Sequence, residues 1–160
     1  ALKLRDAGEP LPAGLMLMSP FLDTSLSGDT IRTAEALDPM LDAAWLKQAV
    51  GWYAPQKGQA LLEADLQGLP PMLIQVGDQE ILQSDSTRLS ALATRCGVPC
   101  QLEVYAGRWH VFQLQAAFLA SAANAVSRLA TFAVQRTQGQ AARHTWHEVD
   151  GDPVTRAMAL

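Results

Sequence analysis

The feature that most constrains the fold of this chain is a regular alternation of strand and helix patterns over residues 72–134. A short apolar run at 72–77 predicts a buried strand, and a second strand pattern follows at 100–105. Apolar residues at helical spacing come after each strand, first up to Gly97 and then over 114–134. This alternation predicts an α/β fold, in which a mainly parallel sheet with right-handed crossovers carries helices on both faces.

The first half of the chain carries shorter patterns that fit the same kind of sheet. Residues 1–8 predict the end of an amphipathic helix, and the apolar run at 13–19 predicts a strand that is covered on both faces. Asp38 followed by Pro39 is typical of a helix start, because an N-cap side chain precedes proline in the first turn. A helix is therefore predicted over 39–50.

Composition and charge argue against several classes of partner. The chain has 160 residues, enough for one domain with its own core, and its formal net charge of -4 offers no basic surface to nucleic acid or anionic lipid. No apolar run reaches the roughly 18 residues of a membrane span. Cys96 and Cys100 lack the Cys-x-x-Cys spacing of a redox or zinc site, so they are predicted to be free thiols of a cytoplasmic protein.

The end of the chain, residues 137–160, is polar and without sustained periodicity, which predicts a loosely ordered tail. His144 and His147 lie three positions apart in it, but no third metal ligand is nearby, so no metal site is predicted. Gly77 stands alone after its strand and lacks the spaced glycines that cradle a phosphate, so no cofactor is predicted either.

Candidate chemistry lies where the predicted strands end. Open α/β sheets collect ligands and reactive groups beyond the carboxyl ends of their strands. Asp78 and Glu80 follow the strand at 72–77, and His110 follows the strand at 100–105. A histidine that hydrogen-bonds to a neighbouring acid is held in one tautomer and is stabilised when it accepts a proton. Each acid is equally compatible with a turn or a helix cap, so both interpretations stay open on these residues alone.

Three stretches, in this order, resemble a known family: "LMLMSPFLDTSLSGDT", "LQGLPPMLIQVGDQEILQSD" and "VYAGRWHVFQ". Together they are similar to the α/β-hydrolase fold-3 family, the bacterial esterases and lipases related to hormone-sensitive lipase. The resemblance covers about residues 1–135. It implies that 1–136 form the C-terminal part of an α/β-hydrolase domain, followed by the tail at 137–160.

The resemblance also implies a function, the hydrolysis of a small-molecule carboxylic ester by a Ser-acid-His triad. His110 matches the triad histidine, which follows the eighth strand of the family's sheet. Glu80 stands where many relatives carry the aspartate of an Asp-Pro-Leu triplet, and Asp78 is the second choice for the acid. Relatives often associate through the edge strand, which predicts a homodimer through 100–105.

Two motifs of the family do not occur in these 160 residues: the Gly-x-Ser-x-Gly elbow of the nucleophile and the His-Gly-Gly-Gly segment of the oxyanion hole. Ser19, Ser25 and Ser27 do not lie in an elbow context. We therefore expect that the chain continues a longer N-terminal half, and that it is inactive on its own. The competing interpretation is a non-catalytic α/β module in which Asp78 binds a ligand or accepts phosphate.

Overall fold

The computed structural model describes residues 1–53 and 61–138 of the chain. Its centre is a sheet of three parallel strands in the order β1-β2-β3, with β1 at Leu15–Met18, β2 at Met72–Gly77 and β3 at Cys100–Tyr105. The parallel sheet and the predicted bounds of the second and third strands are confirmed. Short apolar runs between turn residues defined those two strands sharply enough to be located from sequence.

Five helices accompany the sheet, and none in the described part of the chain combines the length and apolar character required to cross a membrane. Two further segments, Leu61–Glu63 and Phe112–Gln115, form 3₁₀ turns. The helices are α1 (Leu2–Asp6), α2 (Thr30–Thr33), α3 (Ala43–Tyr53), α4 (Gln83–Arg95) and α5 (Ala120–Thr137).

The central strand β2 is buried along its whole length because helices cover both of its faces. Met72 and Ile74 pack in one core cluster with Leu89 of α4. Gln75 points to the other face, where its side-chain nitrogen donates to the carbonyl oxygen of Ala125 in α5 at 2.9 Å. The α/β layering predicted from the sequence is therefore confirmed.

The first strand departs from its prediction, because only one of its faces is covered. Leu15 and Leu17 pack against the main core cluster, whereas Met16 and Met18 are 47% and 46% exposed. β1 lies at one edge of the described sheet, and alternate side chains of a strand point to opposite faces. A short continuous apolar run does not distinguish an edge strand from a central one.

The helix predicted over 39–50 begins later, at Ala43, because Asp38 has another role. One oxygen of the Asp38 carboxylate accepts the N–H groups two and three residues later, and the other accepts the N–H of Ile81 at 3.1 Å. The cap of α3 is Asp42, whose side chain accepts the N–H of Trp45 at 2.7 Å. Asp38 thus ties a turn to the start of α4 and does not start a helix.

The last helix also starts later than predicted, at Ala120 and not at 114. Phe112 is fully buried, and its ring centroid lies 4.8 Å from that of Tyr105. The segment before the long helix therefore packs in the core and is not part of that helix. α5 ends at Thr137. The predicted tail, with His144 and His147, falls almost entirely on 139–160, outside the described residues.

Candidate active site

The carboxyl ends of the three strands bring three loops together. Met18 is in register with Gln75, and Gly77 with Tyr105, so the strands end side by side. Ser19 follows β1 directly, and its backbone N–H donates to the carbonyl oxygen of Gln75 at 2.8 Å, which continues the ladder by one residue. Residues of the loops after β1, β2 and β3 therefore meet at this edge.

Glu80, in the loop after β2, is completely buried. Its Oε2 accepts hydrogen bonds from the N–H of Gly77 at 3.0 Å and from the hydroxyl of Ser19 at 2.8 Å. Among the residues that the structure describes, its Oε1 has no hydrogen-bond partner. This oxygen lies 3.7 Å from Nδ1 of His110, which is equally buried and also lacks a hydrogen-bond partner among those residues. The two unsatisfied polar atoms of this carboxylate and this imidazole thus lie closest to each other.

His110, in the loop after β3, is placed by an unusually close backbone approach. A side chain on Gly77 would put its Cβ 2.1 Å from the carbonyl oxygen of Arg108, so only glycine permits the loop to pass the end of β2. Val111, next to the histidine, has a φ of +44°, which is rare for a β-branched residue. The side chain of His110 is 18% exposed, so the imidazole is partly open to solvent although its Nδ1 is buried.

Asp78, the second-choice acid, lies differently. It is exposed, and its Oδ1 accepts the N–H of Gly107 at 2.7 Å in the turn that leads to the histidine. Its backbone N–H donates to the carbonyl oxygen of Tyr105 at 3.1 Å. Of the two predicted acids, the structure brings Glu80 to within 4 Å of the imidazole of His110, and Asp78 holds the turn.

A second polar cluster, which the sequence did not single out, holds the loop after β1. We call Asp23, Asp85 and Arg88 the loop clamp. Asp85 is only 1% exposed, and its Oδ2 accepts the N–H groups of Leu22 and Asp23 at 2.8 and 3.0 Å. Arg88 bridges the two carboxylates, 2.6 Å from Asp85 and 3.0 Å from Asp23. The loop that begins at Ser19 is therefore fastened to α4.

Hydrogen bonding shifts the pKa of two members of the loop clamp. Burial alone would raise the pKa of Asp23, but donors from Ser25, Ser27 and Arg88 outweigh it and hold the pKa of that carboxyl well below its usual value. Burial likewise opposes the charge of Arg88, yet its two carboxylate partners raise the pKa of the guanidinium. The clamp is thus charged on both sides at neutral pH.

A further polar cluster joins β2 to β3 through the side chains of Gln75, Glu103 and Tyr105. Gln75, fully buried, donates to Glu103 at 3.0 Å, and the hydroxyl of Tyr105 donates to the same carboxylate at 2.8 Å. Burial and the bond to Glu103 together raise the pKa of Tyr105 to about 12. The hydroxyl group of Tyr105 therefore stays neutral. Its ring packs on Phe112, two residues after the histidine.

The site as described is suited to proton transfer. An imidazole whose Nδ1 faces a buried carboxylate is held with its proton on Nδ1, so Nε2 is free to act as a base. The separation of 3.7 Å is longer than a hydrogen bond but lies within the 4 Å reach of a salt bridge to a protonated imidazole. Within residues 1–53 and 61–138, no group of three or more His, Cys, Asp or Glu side chains is arranged to hold a metal ion.

Comparison with known proteins identifies the family of the chain. A sequence profile described as alpha/beta hydrolase fold matches residues 1–114. An esterase of Acinetobacter venetianus is 35% identical over 139 residues, which cover 83% of this chain and 46% of that protein. An acetyl-hydrolase of Streptomyces hygroscopicus is 38% identical over 114 residues, covering 68% of this chain and 38% of that protein. The chain spans about half the length of the first of these curated relatives, and less of the second.

Solved structures of the same family match the fold of this chain. The crystal structure of an esterase from the bacterial hormone-sensitive lipase (HSL) family matches with a TM-score of 0.81 at 35% identity, over 84% of this chain and 47% of that one. A hormone-sensitive lipase from a metagenome library matches with a TM-score of 0.81 at 33% identity, over 84% of this chain and 48% of that one. By sequence and by fold, the chain belongs to the α/β-hydrolase fold-3 family, among the relatives of hormone-sensitive lipase.

Proposed function

We propose that this chain supplies the histidine and the acid of a Ser-acid-His triad in a carboxylic ester hydrolase. The observation that carries the proposal is the approach of Glu80 Oε1 to His110 Nδ1, two buried atoms that have no hydrogen-bond partner within residues 1–53 and 61–138. The relatives named esterase and acetyl-hydrolase support ester hydrolysis as the reaction class. The proposed substrate is a small-molecule carboxylic ester.

In the proposed mechanism, Nε2 of His110 takes the proton of a serine hydroxyl while the serine oxygen attacks the ester carbonyl carbon. The imidazolium then gives this proton to the departing alkoxide, and water repeats the cycle on the acyl-enzyme. Glu80 holds the Nδ1 proton and stabilises the imidazolium. The serine and the oxyanion hole belong, in the proposal, to sequence other than these 160 residues, which lack both motifs.

The activity test joins this chain to the N-terminal half of the Acinetobacter esterase and measures hydrolysis of p-nitrophenyl acetate. We expect His110→Ala and Glu80→Gln each to lower kcat by about 10⁴-fold or more, the loss seen when a triad member is removed. Asp78→Asn is the matched control, since it neutralises an acid two positions away that bonds to Gly107. A larger loss in Asp78→Asn than in Glu80→Gln would make Asp78 the triad acid.

Three outcomes would contradict the proposal itself. We expect no turnover by the 160-residue chain alone, so turnover that disappears in His110→Ala would require a nucleophile within the chain. The alternative of a non-catalytic module predicts tight Mg²⁺ binding that Asp78→Ala abolishes. It has little support, because Asp78 Oδ1 already accepts a backbone N–H. Chimaeric variants that retain full activity without His110 would also exclude the proposed base.

A second test works on the chain itself and reads the tautomer of His110. The N–H of Gly77 can only donate, so in Glu80→Gln the amide oxygen takes the Oε2 position and the NH₂ group faces the imidazole. We therefore expect the variant to move the proton from Nδ1 to Nε2. The ¹⁵N chemical shifts of the ring report this, at about pH 9, well above the ordinary histidine pKa of about 6.5.

The cellular location and the oligomeric state stay predictions. A cytoplasmic location rests on the two cysteines, Cys96 and Cys100, which are free thiols in the structure. Association of two copies through β3 rests on the family resemblance, and β3 lies at an edge of the described sheet. Light scattering of the purified chain at several concentrations tests the dimer, and a mass of 17.2 kDa at all of them would contradict it.

A further inference from the structure

Ser19 connects the ends of all three strands through one hydroxyl group. We infer that Ser19 is a positioning residue, whose hydroxyl holds Glu80 with its free oxygen toward His110 and fixes the loop that carries the histidine. The inference rests on the proposed function, because it concerns the same acid and the same base. We call Ser19, Glu80 and Val111 the strand-end junction.

The hydrogen bonds of Ser19 run in both directions. Its hydroxyl donates to Oε2 of Glu80 at 2.8 Å and accepts the backbone N–H of Val111 at 3.1 Å. The residue is only 3% exposed, so water does not compete freely for either bond. One side chain after β1 is therefore bonded to the acid after β2 and to the residue that follows the histidine after β3.

These bonds determine which oxygen of the carboxylate is left free. Oε2 accepts hydrogen bonds from Ser19 and from Gly77, whereas Oε1 accepts none from the described part of the chain. Rotation of the carboxylate would have to break both bonds, so the unsatisfied oxygen stays toward the imidazole of His110. With the Gly77 bond alone, the carboxylate has one anchor in place of two and its orientation is less restricted.

Backbone conformation supports the same role. Ser19 and Val111 have φ angles of +45° and +44°, a region that side chains other than glycine rarely adopt. Such residues persist where surrounding contacts over-determine them, and they cluster at functional sites. The N–H of Val111 is bonded to Ser19, so the hydroxyl holds the conformation next to His110 in place.

Two other serines of the same loop provide matched controls. Ser25 and Ser27 also donate to a carboxylate, but their acceptor is Asp23 in the loop clamp, and both are exposed. In the described structure neither side chain hydrogen-bonds to the strand-end junction. Ser25→Ala therefore removes a serine-to-carboxylate bond from the same loop and leaves Glu80 and His110 as they are.

The experiment compares ring ¹⁵N spectra of His110 in the wild-type chain, Ser19→Gly, Ser19→Ala, Ser25→Ala and Glu80→Gln. Glycine adopts a φ of +45° without strain. Ser19→Gly therefore removes the hydroxyl and at the same time relieves the backbone strain at this position. We expect the ratio of Nδ1-protonated to Nε2-protonated ring to fall about fivefold in both Ser19 variants, the change in an equilibrium constant that one ordinary hydrogen bond controls. Ser25→Ala keeps the wild-type ratio, and the amide signal of Val111 shifts only in the Ser19 variants.

The outcomes separate the two proposals. A flipped tautomer in Glu80→Gln with an unchanged ratio in Ser19→Gly overturns the role of Ser19 and leaves the proposed function standing. An unchanged tautomer in Glu80→Gln overturns the pairing of Glu80 with His110, and the role of Ser19 fails with it. An equal fall in Ser25→Ala and Ser19→Gly assigns the effect to the loop as a whole and also overturns the inference.

Discussion

Two polar clusters fasten loops to the carboxyl edge of the sheet, and they differ in how completely their atoms are paired. In the loop clamp, Arg88 contacts both Asp23 and Asp85, and Asp85 accepts two backbone N–H groups besides. At the strand-end junction, Oε1 of Glu80 lies 3.7 Å from Nδ1 of His110, and neither atom has a hydrogen bond to any residue that the structure describes. An unsatisfied buried polar group costs about 1–3 kcal/mol, so a native fold retains few of them.

In this molecule the stability of the loop after β1 and the arrangement of His110 depend on different polar clusters. The clamp uses its charges to hold a loop conformation, and none of its members touches His110 in the described structure. The junction leaves one buried carboxylate oxygen free for the imidazole. Changes in the clamp should therefore lower stability without altering the histidine, and changes at the junction should alter the histidine.

The largest expected effect comes from Gly77→Ala, which breaks the junction sterically. The added Cβ would lie 2.1 Å from the oxygen of Arg108, and backbone atoms cannot move aside as a flexible side chain can. We expect a loss of about 3 kcal/mol or more in the free energy of unfolding, measured by urea denaturation. The control is Gly97→Ala, where φ is +69° but no atom lies within 4 Å, so only a backbone cost of about 1 kcal/mol applies. Equal losses in the two variants would contradict this account.

The next effect comes from Asp85→Asn, which breaks the clamp. The amide oxygen can keep the bonds from Leu22 and Asp23, but the NH₂ group then faces the guanidinium of Arg88. We expect a loss of about 2 kcal/mol, below the 3–5 kcal/mol typical of a broken buried pair, because Arg88 keeps Asp23. The tautomer of His110 should stay unchanged.

The control for the clamp is Asp29→Asn. Asp29 pairs with Arg32 at 3.6 Å on the surface, where both side chains are more than 80% exposed, at 88% and 81%. Exposed pairs of this kind contribute little to stability, so the urea midpoint should not move. A midpoint shift as large as that of Asp85→Asn would remove the distinction between a buried and an exposed pair.

The smallest effect is the pH dependence that Asp23 gives to the clamp. The pKa of Asp23 lies below its usual value in the folded chain, so the unfolded chain takes up the proton first as the pH falls. The contribution of Asp23 to the free energy of unfolding is therefore complete above the ordinary aspartate pKa of about 3.9, and it declines as the pH drops below that value. The measurement is the difference in unfolding free energy between wild type and Asp23→Asn at about pH 6 and about pH 3. A difference that stays constant or grows on acidification would contradict the assignment.

Much of the second half of the fold could be predicted from the sequence. The strands at 72–77 and 100–105 were located to the residue, because each is a compact apolar or alternating run between turn residues. The starts of α3 and α5 were predicted too early, because contacts distant in sequence decided them. Asp38 bonds to Ile81, and Phe112 enters the core beside Tyr105.

The candidate site was predictable in part. His110 and the two acids were found because functional side chains collect at the ends of parallel strands. The sequence alone ranked Glu80 over Asp78 only through a family resemblance, whereas the structure brings Glu80 to within 3.7 Å of the imidazole. Ser19 was considered only as a nucleophile and set aside. The signal that pointed to another role was its position directly after the first strand, at the same edge of the sheet.

The class of fold, the family and the set of polar residues at the strand ends can all be read from the sequence. These follow from local patterns of apolar spacing, turn residues and motifs, which require no knowledge of distant contacts. Which of these polar groups meet is decided by the tertiary fold, because Glu80 and Val111 lie 61 and 92 positions after Ser19 in the chain. Their hydrogen bonds depend on strand register, a close approach at Gly77 and two left-handed φ angles, and none of these is encoded in a short stretch of chain.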